Sequence, residues 1–214
     1  MADDNVFDVG ATMTGHYGAP GSTGVTIAET NFAAAWNVQG SVRSPAVAAA
    51  ARSLFGLSLP AVPNTTSREG ALTALWIGPA SWLLVATDRS PLVHFETKRD
   101  AINAAGGALF DVSAGRVGWT IAGPEAATVL AKGCPLDFDA RVFRDGMCAQ
   151  SVYGRINALF YRRSPLPPEP ADQSLQRSPP FTMLVARSFA RDAWRFLCVS
   201  AAQYGYEVLH PQPF

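Results

Sequence analysis

The sequence predicts an α+β fold of two degenerate β-α-β-β-α repeats, with antiparallel sheet and helices packed on it. Three observations predict it. Strand and helix patterns alternate through the middle of the chain. Segments of the first half have counterparts in the second. Two stretches rich in Gly or Pro, residues 1–24 and 162–180, show no periodicity of their own. Helices and short antiparallel strands in this order pack as helix on sheet, and recurrence of the same unit is the mark of an internal duplication. Chance likeness between amphipathic segments is the competing explanation.

Residues 1–24 read as an extended N-terminal arm, mobile or laid over a partner. Residues 25–110 form the first repeat. Val25 to Val38 offers one or two strands, and Ser44-Pro45 opens an alanine-rich helix with Ser as N-cap. Val47, Ala51, Leu54 and Phe55 fall at helical spacing, and Gly56 stops the helix. "LTALWIG" and "SWLLVAT" are short apolar strands joined through Gly78-Pro79. Ser90-Pro91 opens a second helix that runs to Gly106-Gly107, with the stripe Leu92, Phe95, Arg99 and Ile102.

Residues 111–206 form the second repeat. "RVGWTIAG" is a strand whose glycines point to a bulge or a close backbone approach. Gly123-Pro124-Glu125 opens a helix, with an acid at the positive end of its dipole. "CAQSVYG" and "INALFYRR" form a hairpin about Gly154-Arg155. The Pro-rich segment 162–180 is a long surface loop. "FTMLVAR" is a strand, and Ser188 caps a last helix with Phe189, Ala193, Phe196, Leu197, Ser200 and Tyr204 at helical spacing. Residues 207–214 are a C-terminal tail. "SWLLVAT" with the helix ending "NAAGG" pairs with "FTMLVAR" and the helix ending "SAAQYG". "SVRSPAVAAAARSLFG" pairs with "TIAGPEAATVLAKG".

Composition excludes several functions. The 214 residues carry 17 basic and 17 acidic side chains, with none of the basic excess of a nucleic-acid or membrane-surface binder. At 48% hydrophobic and 16% charged the chain can bury a core, and its low charge leaves uncharged surface for a partner. No apolar run approaches the ~20 residues of a membrane helix. The opening MADDNVFDVG has acids where a signal peptide has positive charge, so a cytoplasmic location is expected. Cys134, Cys148 and Cys198 are spaced for neither a disulfide framework nor a zinc cluster.

The candidate chemistry is sparse. Cys134, beside Lys132, invites a nucleophile. It follows a helix C-terminus, where the dipole disfavours thiolate, and Gly133 and Pro135 read as C-cap and helix stop. Lys132 is expected to point to water. Cys148 and Cys198 read as core thiols. His16, His94 and His210 have no metal or triad spacing, and no phosphate-binding glycine motif is present. Asp111 and Ser113 sit at a strand–turn–strand junction, where they bond the turn or, on the sharper reading, Asp111 is catalytic. Asp137 and Asp139 are paired carboxylates fit for acid–base work or for solvation. Arg162 and Arg163 stand together. Arg187, Arg191 and Arg195 recur every four residues on one helical face, which meets a partner's acids or water. No set amounts to an active site: catalytic, cofactor-binding and metal residues are each expected to be absent.

"ALFDVSAGRVGWTIAGPEAATVLAKGCPLDF", "GMCAQSVYGRINALFYRR" and "FTMLVARSFARDAWRFLCVSAAQYG" resemble the gamma subunit of heterotetrameric sarcosine oxidase. The resemblance runs from about Thr26 to Gly205. Its most specific pieces are Asp111-Val112-Ser113 with Gly115-Arg116, then Gly123-Pro124, then Lys132 to Asp137, then Arg187-Ser188-Phe189-Ala190. The resemblance implies a fold like the folate-binding domain of aminomethyltransferases. Those relatives carry an acid for folate chemistry in the hairpin, whereas here no acid lies between Asp145 and Glu169.

The resemblance further implies a non-catalytic subunit in an assembly with alpha, beta and delta chains. FAD, FMN, NAD, tetrahydrofolate and zinc are implied in those partners and none in this chain. The arm and the Pro-rich loop are the expected subunit contacts. A stand-alone folate-binding one-carbon transfer protein is the alternative, as is a scaffold of a related N-methyl amine oxidase or dehydrogenase.

Overall fold

Period-two alternation sends the strand side chains into three separate cores. A computed structural model of the chain describes residues 13–40, 45–163 and 179–214. In β3 (Ala34–Gln39) and β6 (Ser81–Ala86), Trp36, Leu84 and Ala86 face one way, with Ala35, Leu83 and Val85 facing the other. The first set packs under helices α1 (Ala46–Phe55) and α2 (Phe95–Ala104). The second set meets Leu159, Tyr161 and Leu184 from a second sheet. Successive strand residues point to opposite faces, so a strand segment apolar at every position is buried on both, as Leu83–Ala86 of β6 is.

The smaller sheet runs β4 (Thr66–Glu69), β5 (Leu72–Gly78), β6, β3, β7 (Ala108–Asp111). The larger runs β1 (Gly15–Tyr17), β12 (Tyr206–Pro213), β2 (Val25–Asn31), β8 (Arg116–Ala122), β11 (Phe181–Ala186), β10 (Ile156–Arg162), β9 (Cys148–Tyr153). Neighbours pair antiparallel except β12 with β2. Helices α3 (Ala126–Ala131) and α4 (Ala190–Ala201) cover the outer face of the larger sheet. The layers are therefore helices, sheet, sheet, helices.

The two halves share a topology. The order β4-β5-β6-β3 recurs as β9-β10-β11-β8, with α1 and α2 answered by α3 and α4. Trp36 on β3 packs on Phe55 and Phe95 of its helices, and Trp119 on β8 stacks on Trp194 of α4. Each unit holds more strand than the β-α-β-β-α expectation: three strands, not two, separate its helices, and another follows the second helix.

Several boundaries differ from expectation. β2 lies in the second unit's sheet, between β8 and β12, so the first unit's strands begin at β3 and not at residue 25. The tail 207–214 lies almost entirely in β12, and Phe214 reaches the inter-sheet core to stack on Tyr161 at 5.5 Å. Residues 13–24 lie on their own fold: β1 pairs with β12, and Ala19 N donates to Ala202 O. Residues 1–12 of the arm, Ser44 as N-cap and 164–178 of the Pro-rich loop lie outside the described residues.

The second helix is broken. Asp88 Oδ1 accepts from Ser90 N and Oγ, which holds Ser90–Leu92 as a 3-10 turn. Lys98 Nζ takes the Pro91 carbonyl at 2.6 Å, and His94 turns left-handed (φ 60) before α2 begins at Phe95. Ser188 caps nothing. Residues Arg187–Phe189 are a 3-10 turn, and α4 starts at Ala190 with no side-chain cap. In β8 the glycine serves close approach and not a bulge, since a Cβ on Gly118 would stand 2.9 Å from Met183 O of β11.

Candidate functional site

The turn from β7 into β8 is built by its own side chains. Asp111 Oδ1 accepts from Ser113 N at 2.9 Å and from Ser113 Oγ at 2.5 Å. Ser113 Oγ in turn accepts from Ala35 N at 2.9 Å. Both residues thus hold the Ser113–Gly115 turn against β3, and that turn presents Arg116 at the start of β8. Arg187 Nε donates to Ala114 O, which ties this turn to the one before α4.

Between the two turns, on the inner face of the larger sheet, lies a cleft of about 820 Å³. Val112 and Arg116 line one side, Phe189 another, and Gln150, Val152 and Asn157 the floor. Arg116 is half-buried, and burial lowers the pKa of its guanidinium. No sequence signal assembled this cleft. Val112, Gly115, Arg116 and Phe189 belong to quoted motifs, but only the pairing of β8 with β11 brings them together.

The remaining candidates are engaged elsewhere. Cys134 is buried under α3, and its N–H donates to Leu130 O. Lys132 does not point to water: Nζ donates to Ser200 O at 2.6 Å, at the end of α4, and lies over the Tyr204 ring. This cation meets the negative end of a neighbouring helix. Gly133 is not a left-handed C-cap. Lys132 is the C-cap, in right-handed conformation, and Gly133 is required because a Cβ would collide with Phe196 and stand 2.8 Å from Tyr153 Cε2. Cys148 sits between the sheets with Sγ donating to Trp76 O, and burial pushes its thiol up to about 12. Burial also raises Cys198.

His16 Nε2 donates to Ala19 O, His94 occupies the break before α2, and His210 is exposed on β12. Among the described residues no three His, Cys, Asp or Glu side chains group to hold a metal. Asp137 bonds Asp139 N, and hydrogen bonds from Arg141 hold the Asp139 carboxyl down to about 2. Arg162 is buried, with Nε 2.9 Å from Asp145 Oδ1, its NH1 donating to Phe143 O and its guanidinium over Phe181. Arg163 donates to Pro213 O. Arg187 does not share a face with Arg191 and Arg195, because it belongs to the 3-10 turn, whereas they are exposed on α4. Glu29 on β2 is a residue that sequence reasoning missed. Burial raises its pKa against the pull of Arg187.

Residues 39–166 match the sarcosine oxidase, gamma subunit family. Sarcosine oxidase subunit gamma of Corynebacterium sp. (strain U-96) is 33% identical over 146 residues, which is 66% of this chain and 68% of that protein. The chain belongs to the sarcosine oxidase gamma subunit family. The gamma subunit of Arthrobacter sp. is 32% identical over 147 residues, covering 67% of this chain and 71% of that protein.

Among solved structures, a chain of heterotetrameric sarcosine oxidase from Corynebacterium sp. U-96, in complex with pyrrole 2-carboxylate, superposes with TM-score 0.68 at 23% identity over 88% of each chain. The glycine cleavage system aminomethyltransferase T from Bartonella henselae superposes with TM-score 0.52 at 14% identity, over 89% of this chain and 48% of that one. At these identities the likeness is one of fold, and it is the α+β, aminomethyltransferase-like fold expected from the sequence. No described helix of this gamma-family chain is long and apolar enough to cross a membrane.

Proposed function

We propose that the chain is the gamma subunit of a heterotetrameric sarcosine oxidase, supporting assembly of the flavoenzyme and performing no chemistry itself. In this reading the assembly demethylates sarcosine to glycine, reduces oxygen to hydrogen peroxide, and passes the one-carbon unit to tetrahydrofolate. Its partners are alpha, beta and delta subunits, which carry the FAD, FMN, NAD, tetrahydrofolate and zinc. It works in the cytoplasm.

Membership of the gamma family carries the reading. The side chains support it: those that look catalytic in sequence hold turns or fill cores, as Asp111, Asp139 and Cys134 do. Co-expression with alpha, beta and delta subunits of a sarcosine oxidase tests the reading. The expected result is a complex in which this chain co-purifies with flavin-containing partners. Calorimetry with tetrahydrofolate on the isolated chain tests the alternative of a stand-alone folate protein. Tight binding without co-purification would replace the first reading with the second. A panel of N-methyl amines on the complex separates sarcosine from related substrates.

A further inference from the structure

The cleft between the Ser113–Gly115 and Arg187–Phe189 turns holds one cation and no acid: Arg116 lines it, and none of its lining residues is Asp or Glu. Among the described residues Arg116 has no carboxylate partner. A half-buried guanidinium without a counter-charge loses hydration and gains nothing in return. Beside it Phe189 is 47% exposed and Val152 37%, large apolar side chains on the rim and floor of the same cleft. The walls are preformed. Asp111, Ser113 and Ala35 lock one turn, and Arg187 to Ala114 O ties the other to it. Gln150 Nε2 is anchored to Ile77 O of the smaller sheet.

We propose that this cleft docks a segment of another subunit, one that brings a carboxylate to Arg116 and an apolar side chain to Phe189 and Val152. The inference rests on the reading of the chain as an oxidase subunit. A rigid concave site with one uncompensated charge and exposed aromatic surface fits a protein anchor: the apolar contact supplies affinity and the ion pair fixes the partner's register. It also accounts for two of the most specific sequence pieces, Asp111 to Arg116 and Arg187 to Ala190, which build the two walls.

The test uses the co-expressed complex. Arg116→Glu is expected to weaken capture of this chain by its partners roughly 30-fold or more, the usual cost of losing one member of a desolvated charge pair. Phe189→Ser is expected to weaken it less, and Arg195→Glu, on the exposed face of α4, to leave it unchanged. Assembly of Arg116→Glu at wild-type affinity would overturn the proposal. Should that variant fold poorly, hydrogen exchange on the wild-type chain decides. Amides of 112–116 and 186–189 gain protection on assembly, and unchanged protection overturns the proposal. A wild-type homodimer that Arg116→Glu dissolves would also overturn it, because the occupant would then be a second copy. Failure of the wild-type chain to join any complex overturns both this proposal and the subunit reading, whereas a complex indifferent to Arg116 overturns this one alone.

Discussion

Gly133 shows how one position answers two questions. Its lack of a side chain lets Phe196 and Tyr153 close over the end of α3, and Cys134 follows into the core. Phe196 is at the surface and can swing aside, but Tyr153 is fully buried and cannot. Gly133→Ala is therefore expected to destabilise the chain by about 2 kcal/mol, read by urea unfolding.

Cys148 makes a pH prediction. Burial raises its thiol from 9.0 to about 12, so the unfolded chain releases this proton first and stability falls as pH rises through that window. Tyr153, raised to about 12 by burial, adds to the same fall. Thermal unfolding followed from pH 8 to pH 11 should show a falling midpoint, with a shallower fall in Cys148→Ala. An unchanged slope in the variant would remove Cys148 from the account. The Arg162–Asp145 pair is asymmetric. Asp145 is 38% exposed and Arg162 only 4%, so Asp145→Ala strands a buried cation and should cost about 3 kcal/mol. Arg162→Met leaves only an acid that water can reach, and the same urea titration should find it less damaging than Asp145→Ala.

At the scale of elements, β12 joins what the two units do not share. It pairs β1 on one side and β2 on the other, and carries Phe214 onto Tyr161 between the sheets. Phe214→Ala should cost about 3 kcal/mol by calorimetric melting, while replacing the exposed His210 on the same strand should cost almost nothing.

Elements with a clean period were legible in the sequence. β5, β6, β10 and β11, the hairpin at Gly154, and α1 stand where their apolar runs put them. What was not legible depends on distant partners. β12 is polar at positions 210 and 212 and reads as a tail, and its pairing with β1 and β2 makes it a strand. The start of α2 was displaced because Asp88 and Lys98 outcompete helix continuation for the backbone of residues 90–91. Ser188 has the chemistry of a cap without the geometry. Arg187 matched a helical spacing although the helix had not yet begun. The cleft has no signature in the sequence for the same reason as β12, since no local pattern records that β8 and β11 are neighbours.

At the scale of the molecule, two units share one order of four strands and differ in what flanks it. Beyond β8 the larger sheet carries β2, β12 and β1, whereas beyond β3 the smaller carries only β7. The two sheets share a core through Leu83, Val85, Leu159 and Leu184, so neither unit buries its inner face alone. The family to which the chain belongs is that of a subunit. The central claim is that turnover belongs to the assembly and not to this chain. Sarcosine-dependent hydrogen peroxide formation, measured side by side on the purified chain and on the co-expressed complex, tests it most directly. The chain alone is expected to give no peroxide and to hold no flavin, and the complex to give peroxide and hold flavin; sarcosine turnover by the isolated chain would overturn the subunit reading.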